Sequence, residues 1–264
     1  MNLKTRVISA IVALLIVIPL LILGGYYFSF GVCLVAILAY KELIDLKKSH
    51  IKIPFIMVVL GLISMLLIIL SNYSNASIYK GLTYQTLIIP LLFLLIPTIF
   101  FKNNKYMTKD AFYLIGITYL LGIVFNSFII LRIRSLYLFL YLIIIPMVTD
   151  TFAMLSGKVF GKHKMCPTLS PHKTWEGFVG GLFGGLLSGL LIYKFLIGTL
   201  TVRVIITTII LSLVGQMGDL VMSKIKRENE IKDFSNIMPG HGGILDRLDS
   251  IIFVVLTYMF LLII

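Results

Sequence analysis

The chain has 264 residues, of which 59% are hydrophobic and only 13% are charged. A soluble domain is about 45–50% apolar and about 25% charged, so this composition excludes an ordinary soluble protein and indicates an integral membrane protein. The formal net charge is +12, and the two cysteines are too few for a disulfide framework.

Apolar runs divide the whole chain into candidate membrane spans. A membrane-spanning helix needs roughly 20 mainly apolar residues. Backbone groups in lipid must be satisfied internally, and runs of this length indicate helices rather than barrel strands. The pattern therefore predicts an all-α, polytopic integral membrane protein with about nine transmembrane helices. In chain order, the predicted spans are 7–24, 27–46, 54–71, 84–101, 111–131, 136–156, 175–197, 201–221 and 244–264.

The basic residues predict the orientation of these spans. With the N-terminus in the cytoplasm, 16 of the 23 lysine and arginine residues lie in cytoplasmic segments and five lie outside. This bias follows the positive-inside rule. We therefore expect a multi-pass protein of the cell membrane whose N-terminus and active site are cytoplasmic, with cytoplasmic loops at 157–174 and 222–243.

The motifs that could carry chemistry lie in the C-terminal part of the chain. Residues 1–149 match a scaffold of transmembrane helices by hydropathy alone, and residues 150–264 hold the motifs and form the predicted catalytic region. Within the second part, glycine recurs every fourth residue at Gly177, Gly181, Gly185 and Gly189. Small faces of this kind mostly pack helices in membranes, so we interpret these glycines as structural.

Three carboxylates lie within apolar helical sequence near the C-terminus: Asp219, Asp246 and Asp249. Ionised groups at membrane depth are costly and are functional candidates by default. Asp246 and Asp249 are three residues apart and share a helix face, as do Asp219 and Ser223, which are four apart.

If the two helix ends meet, Asp219 and Asp246 can hold a divalent cation between them. Carboxylate, phosphate and water oxygens are the ligands that Mg²⁺ prefers. The alternative is that these acids form ion pairs with Lys224 or Arg247. One acid before the glycine turn, Asp219, and two after it, Asp246 and Asp249, together favour the metal.

The turn His241-Gly242-Gly243 directly precedes the last predicted span. Free amides and the positive end of a helix can bind a phosphate, and glycine lets the backbone approach it closely. An ordinary loop-to-helix turn is the alternative. For His241 we favour a phosphate contact over a base or a simple cap.

Three basic residues, Lys226, Arg227 and Lys232, lie between the acids and can neutralise a polyphosphate or an anionic lipid. The alternative is the generic basic fringe of a cytoplasmic membrane surface. Carboxylates, basic residues and a glycine turn together indicate a metal-bound polyphosphate.

A second polar block runs from Ser170 to Gly177. Its residues predict a Ser-Pro turn followed by a helix with an N-cap at Thr174. The upstream stretch Gly157–Lys162 is one residue short of the P-loop spacing and lacks its Ser or Thr, which excludes a Walker-type site. Glu176 could complement the helix dipole.

The stretch around these acids resembles the signature of the phosphatidate cytidylyltransferases, or CDP-diacylglycerol synthases. The matching residues are Ser223, Lys226-Arg227, Lys232-Asp233, Ser235, His241-Gly242-Gly243 and Asp246-Arg247-Leu248-Asp249. Met238 departs from the usual Leu, Ile or Phe, which exchanges one apolar residue for another. A second family block matches Ser170–Gly177, where His172 occupies a variable position. The resemblance covers residues 150 to 249.

The resemblance implies transfer of a cytidylyl group from CTP to phosphatidate at the membrane, with Mg²⁺, as one cation or two, at Asp219 and Asp246. The implied catalytic residues are Asp219, Asp246, Lys226, Arg227 and His241. The implied substrate-binding residues are Ser170, Lys173, Thr174, Ser223, Lys232, Gly242, Gly243, Arg247 and Asp249. The expected partners are CTP, phosphatidate and the lipid bilayer but no nucleic acid, and a homodimer is left open. Asp150, His172 and Glu176 receive no role.

Two other functions fit parts of the pattern. A CTP-dependent lipid kinase of the dolichol-kinase type resembles this family and would release CDP rather than diphosphate. A transporter also carries intramembrane acids, but here the charges cluster at one predicted membrane face. The CDP-alcohol phosphotransferases are disfavoured because their Asp-Gly-x-x-Ala-Arg start is absent.

Overall fold

The computed structural model describes residues 3–48, 53–71, 84–101, 105–240 and 242–262, most of which are helical. The helices are α1 Leu3–Leu23, α2 Gly25–Lys48, α3 Phe55–Leu70, α4 Tyr84–Leu95, α5 Thr108–Arg134, α6 Leu136–Phe160, α7 Trp175–Ile192, α8 Val202–Glu228 and α9 Leu245–Leu261. A 3₁₀ turn, Ile96–Ile99, continues α4, and a π-helical turn, Tyr193–Ile197, continues α7. The prediction of an all-α membrane protein is confirmed.

Each predicted span coincides with one of these helices. In the part of the chain that the structure describes, five helices are long and apolar enough to cross a membrane: Gly25–Leu46, Thr108–Arg134, Leu136–Phe160, Trp175–Ile197 and Val202–Glu228. Val7–Leu23, Phe55–Leu70 and Gln85–Ile99 are apolar but shorter. The count of nine spans stays a prediction.

A short hairpin between α6 and α7 was not predicted. Strands β1, Lys164–Cys166, and β2, Ser170–Thr174, pair antiparallel. The expected Ser-Pro turn at Ser170 is wrong, because the chain turns three residues earlier. Pro167 there follows Cys166, whose carbonyl accepts a hydrogen bond from the amide of Leu169 at 3.2 Å. Proline at the second position of such a turn is favoured because its φ is already set.

The described chain divides into two compact units. Unit 1 comprises residues 1–134 and 234–245, and unit 2 comprises residues 135–233 and 246–264. The division falls between α5 and α6, and the segment Phe234–Leu245 belongs to unit 1. The predicted functional boundary at residue 150 stays a prediction.

In unit 1, α5 packs against α2, α3 and α4. Its polar side chains donate hydrogen bonds to backbone carbonyls near the ends of neighbouring helices. The Nδ2 atom of Asn126 donates to the carbonyls of Ile68 and Ile69 at 3.1 and 2.9 Å, and Nε of Arg132 donates to that of Leu21 at 2.7 Å. Carbonyls near a helix end lack the full set of intrahelical donors and find no water in lipid. At the end of α3, the bonds from Asn126 add to those that Ser71 donates to the carbonyl of Ile68.

In unit 2, α7 packs closely against α6 and α8 through its glycines. A Cβ atom on Gly185 would overlap Oγ1 of Thr149 and lie 2.5 Å from Oγ of Ser212. A Cβ on Gly189 would lie 2.5 Å from Cγ2 of Thr208. The structural interpretation of the glycine face is therefore confirmed.

Candidate active site

Unit 2 contains a cavity of about 340 Å³ between α6, α7, α8, α9 and the hairpin. Four aspartates line it: Asp150 of α6, Asp219 of α8, and Asp246 and Asp249 of α9. The wall also includes His172, Lys173 and Thr174 from β2 and Gln216 from α8. The helices thus bring together the three predicted acids and add Asp150, for which no role was predicted.

Asp219 is bound by residues from two elements. The Nζ atom of Lys173 lies 2.6 Å from its Oδ2, and the hydroxyl of Ser223 donates to its Oδ1 at 3.4 Å. The shared face predicted for Asp219 and Ser223 is therefore confirmed. Lys173 also lies 3.5 Å from the carbonyl of Gln216, so this cation is held within the cavity wall.

Asp246 forms a buried ion pair. Its Oδ1 lies 2.7 Å from Nζ of Lys226, and the two side chains are only 4% and 11% exposed. The ion-pair alternative had named Lys224 or Arg247, but Lys224 lies 3.7 Å from Glu228 on the surface of α8. A buried pair of this kind is strongly destabilised when one partner is removed, because the other charge is left uncompensated.

Ser250 hydrogen-bonds to the other two acids of the cavity, Asp150 and Asp249. Its hydroxyl donates to Oδ2 of Asp150 at 3.2 Å, and its amide donates to Oδ1 of Asp249 at 2.8 Å. Four carboxylates thus line the cavity, and two of them, Asp219 and Asp246, form ion pairs with lysines. The excess of carboxylate oxygens favours binding of a cation.

Thr174 and Glu176 fix the hairpin to the start of α7. The Oγ1 atom of Thr174 accepts from the amide of Gly177 at 3.1 Å, which confirms the predicted N-cap. The carboxylate of Glu176 accepts from the amides of Lys162 and His163 at 3.1 and 3.3 Å, and lies 2.7 Å from Nδ1 of His163. These bonds set the position of β2, which carries Lys173 and the half-buried Ser170.

The glycine turn is closed by its own backbone. The amide of Met238 donates to the carbonyl of Gly242 at 2.9 Å, and the amide of Gly242 donates back at 3.2 Å. Gly240 and Gly242 have φ values of 83° and 86°, a region that non-glycine residues rarely adopt. His241 lies outside the described residues, and its role stays a prediction.

The two amides that follow this turn are bound by Glu42 of α2, which is only 1% exposed. Its Oε1 accepts from the amide of Ile244 at 2.8 Å and from the hydroxyl of Ser235 at 2.6 Å, and its Oε2 accepts from the amide of Leu245 at 2.9 Å. The expectation of free amides here is therefore wrong at Gly242, Ile244 and Leu245. Substrate contacts by Gly242 and Gly243 stay predictions.

The remaining predicted site residues are exposed. Arg227 donates from Nη1 to the carbonyl of Ile231 at 3.0 Å, close to the end of α8. Lys232 and Arg247 are also exposed. Among the described residues, none of these three lines the cavity, and their roles stay predictions.

These features define a polytopic helical membrane protein with an acidic, lysine-containing cavity. Comparison with known proteins gives the particular family. The chain belongs to the cytidylyltransferase family, whose model matches residues 4–264.

Individual relatives match over nearly their whole length. The chain is 39% identical over 253 residues to a protein named phosphatidate cytidylyltransferase from Staphylococcus haemolyticus, with 95% of each chain covered. It is 38% identical to proteins of the same name from Staphylococcus aureus and Staphylococcus epidermidis, again with 95% of each chain covered.

Proposed function

We propose that this protein is a phosphatidate cytidylyltransferase of phospholipid biosynthesis. It converts CTP and phosphatidate into CDP-diacylglycerol and diphosphate, and it is therefore a nucleotidyltransferase. The observation that carries this proposal is the similarity to proteins of that name over 95% of the chain. The acidic cavity supports it, because a nucleoside triphosphate with its cation needs both carboxylates and basic groups.

A divalent cation, Mg²⁺, is part of the proposal, and the donor set fits it. Among the described residues no three Asp, Glu, His or Cys side chains form a ready-made metal cluster. Mg²⁺ does not require one, since it is usually bound through one or two carboxylates together with substrate phosphates and water. Asp219 and Asp246 would hold it, and Asp150 and Asp249 offer further oxygens for a second cation. When bound, it would stabilise negative charge on the reacting phosphates.

The lysines of the two ion pairs have a matching role in this proposal. Lys173 and Lys226 hold the carboxylates of Asp219 and Asp246 in place while the site is free of substrate. Ammonium groups at these positions can also donate charge-assisted hydrogen bonds to phosphate oxygens. Attack of a lipid phosphate oxygen on the α-phosphorus of CTP needs no covalent protein nucleophile, so the task of the chain is positioning and charge stabilisation.

Products labelled at single phosphorus atoms test the function directly. With the purified protein, phosphatidate and Mg²⁺, label in the α-phosphate of CTP is expected to enter the lipid, and label in the γ-phosphate is expected to leave as diphosphate. A CTP-dependent lipid kinase would give the reverse, with γ-label in the lipid and α-label in CDP. The reverse result would replace the proposal with the kinase.

We predict complete dependence on a divalent cation. Without it, charge on the transferring phosphate and on the leaving diphosphate is not neutralised, and a loss of several kcal/mol corresponds to at least about a hundredfold in rate. The measurement is turnover after exhaustive chelation and then after readdition of Mg²⁺. Full turnover in the chelated protein would contradict the two-aspartate site.

We also propose that the N-terminus and the site face the cytoplasm of the cell. The asymmetry of 16 to five basic residues supports this orientation. In a background without Cys33 and Cys166, Asn236→Cys is expected to resist a membrane-impermeant thiol reagent added outside, while Thr199→Cys reacts. Both positions are exposed in the structure, so accessibility to the reagent depends on the side of the membrane. Labelling of position 236 alone would reverse the topology.

A further inference from the structure

Glu42 is a buried carboxylate in an apolar helix, only 1% exposed. Burying a carboxylate is costly unless hydrogen-bond donors replace the water it loses. Here the donors are the amides of Ile244 and Leu245 and the hydroxyl of Ser235, at 2.6–2.9 Å. Hydrogen bonds to an ionised acceptor are about twice as strong as neutral ones, so the carboxylate is a firm anchor for these groups.

All of these donors belong to one short segment, 234–245. Ser235 lies near its start and Ile244 and Leu245 at its end, so one carboxylate joins both ends of the segment. Leu245 is also the first residue of α9. Glu42 therefore supplies, from within the chain, the anion that we had expected a substrate phosphate to provide at this helix start.

Gly243 gives a second, independent observation of the same contact. A Cβ atom at this position would lie 2.5 Å from Oε1 of Glu42, 2.8 Å from Cδ and 2.9 Å from Oε2. Gly243 is not among the described glycines with positive φ, so its backbone alone does not require glycine. The close approach of the carboxylate does.

We propose that Glu42 is a positioning residue for the transferase reaction, acting through the segment 234–245. This inference rests on the proposed function. The segment carries the His-Gly-Gly pattern, and Leu245 is bonded directly to Asp246. Because the two residues are consecutive, fixing the amide of Leu245 restricts the position of the Asp246 backbone. Loss of the anchor is therefore expected to lower the rate of the chemical step more than the binding of CTP.

Glu42→Gln is the informative change, with Lys41→Gln as its matched control. Glutamine keeps the size, but its NH₂ group replaces one acceptor and then faces an N–H or O–H donor. Lys41 is the adjacent residue, is exposed, and loses a charge in the same exchange. In Glu42→Gln we expect kcat to fall about tenfold or more, the KM for CTP to change less than about threefold, and the control to behave as the parent protein.

Hydrogen exchange of the peptide covering 242–246 is the readout that does not depend on activity. The amides of Ile244 and Leu245 are expected to exchange about tenfold faster or more in Glu42→Gln, while peptides of α5 keep their protection. Unchanged exchange would overturn the anchoring contact. Faster exchange with the kcat of the parent protein would overturn the positioning role.

Two further variants keep the proposal testable if Glu42→Gln does not fold. Ser235→Ala removes one donor and leaves both amides bound, so kcat is expected to fall about three- to tenfold. Gly243→Ala adds the overlapping Cβ, and its loss of thermal midpoint should be smaller in Glu42→Ala, where the carboxylate is gone. Additive effects of these two changes would overturn the contact.

Failure of the proposed function is distinguishable from failure of this inference. If the parent protein transfers no cytidylyl group, the function is wrong. The exchange rates and the coupling between Glu42 and Gly243 would then still decide whether Glu42 anchors the segment.

Discussion

Asp246→Asn is expected to reduce turnover by about a hundredfold or more. Asparagine keeps the size and one oxygen but removes the charge that would hold the cation, which supplies several kcal/mol in such reactions. The structure adds a second consequence. Asp246 and Lys226 form a buried pair at 2.7 Å, so the substitution removes the carboxylate with which Lys226 is paired. Such a loss costs about 3–5 kcal/mol, and the thermal midpoint should fall as well.

A double variant separates the two effects. In Asp246→Asn with Lys226→Met both charges are gone, and replacing a whole buried pair with uncharged groups is often neutral for stability. We expect the thermal midpoint to recover towards that of the parent protein while turnover stays at least about a hundredfold lower. Recovery of both would show that Asp246 acts only as the partner of Lys226.

Lys224→Met is the matched control for the lysine exchange. Lys224 lies 3.7 Å from Glu228, and both side chains are about 60% exposed. Exposed pairs contribute little because solvent screens them. Turnover and thermal midpoint should both stay close to those of the parent protein, which would show that removing any lysine from α8 is not enough to change them.

The helices were predictable because their signal is local. An apolar run of about 20 residues has few structures available to it in a membrane, so each predicted span coincides with a helix. The hairpin between α6 and α7 was missed, since its strands have three and five residues. The signal was present in Pro167, which follows β1, but Ser170-Pro171 offered a competing turn.

The site was predictable only in part, because sequence patterns show which residues are neighbours on one helix but not which distant residues meet. The four-residue spacing of Asp219 and Ser223 determines that they share a helix face, and they are in contact. The partners of the acids are distant in sequence. Lys173 reaches Asp219 only because the hairpin places β2 at the cavity wall, and no local pattern shows this.

Glu42 shows how a motif can be recognised from the sequence while one of its contacts is missed. Gly243 does lie at the close approach of a carboxylate, that of Glu42. The sequence cannot show which anion is present, because Glu42 and Ile244 are separated by 202 positions. The remaining signal was the occurrence of an acid within the second predicted span, which by itself marks a functional or structural site.

Gly185→Ala is expected to destabilise unit 2, because the added methyl group has no space. Its Cβ would overlap Oγ1 of Thr149 on α6 and lie 2.5 Å from Oγ of Ser212 on α8, two atoms that hydrogen-bond to each other at 2.9 Å. Overpacking of a close-packed site costs about 1–3 kcal/mol. For a chain of this size that corresponds to roughly 2–4 °C of thermal midpoint per kcal/mol.

Gly116→Ala is the matched control, since a Cβ on this glycine of α5 meets no atom within 4 Å. Alanine is also the better helix former, so the control should melt at or slightly above the temperature of the parent protein.

The cause of the effect at Gly185 is tested by removing the side-chain atoms that the added Cβ would overlap. With Thr149→Ala and Ser212→Ala added, the nearest remaining neighbour of the new methyl group is Cβ of residue 212, at 3.1 Å. The lost interhelical hydrogen bond costs only about 0.6 kcal/mol in a membrane, so the triple variant should be more stable than Gly185→Ala alone. If the triple variant melts no higher than Gly185→Ala, steric overlap at this face is not the cause of the destabilisation.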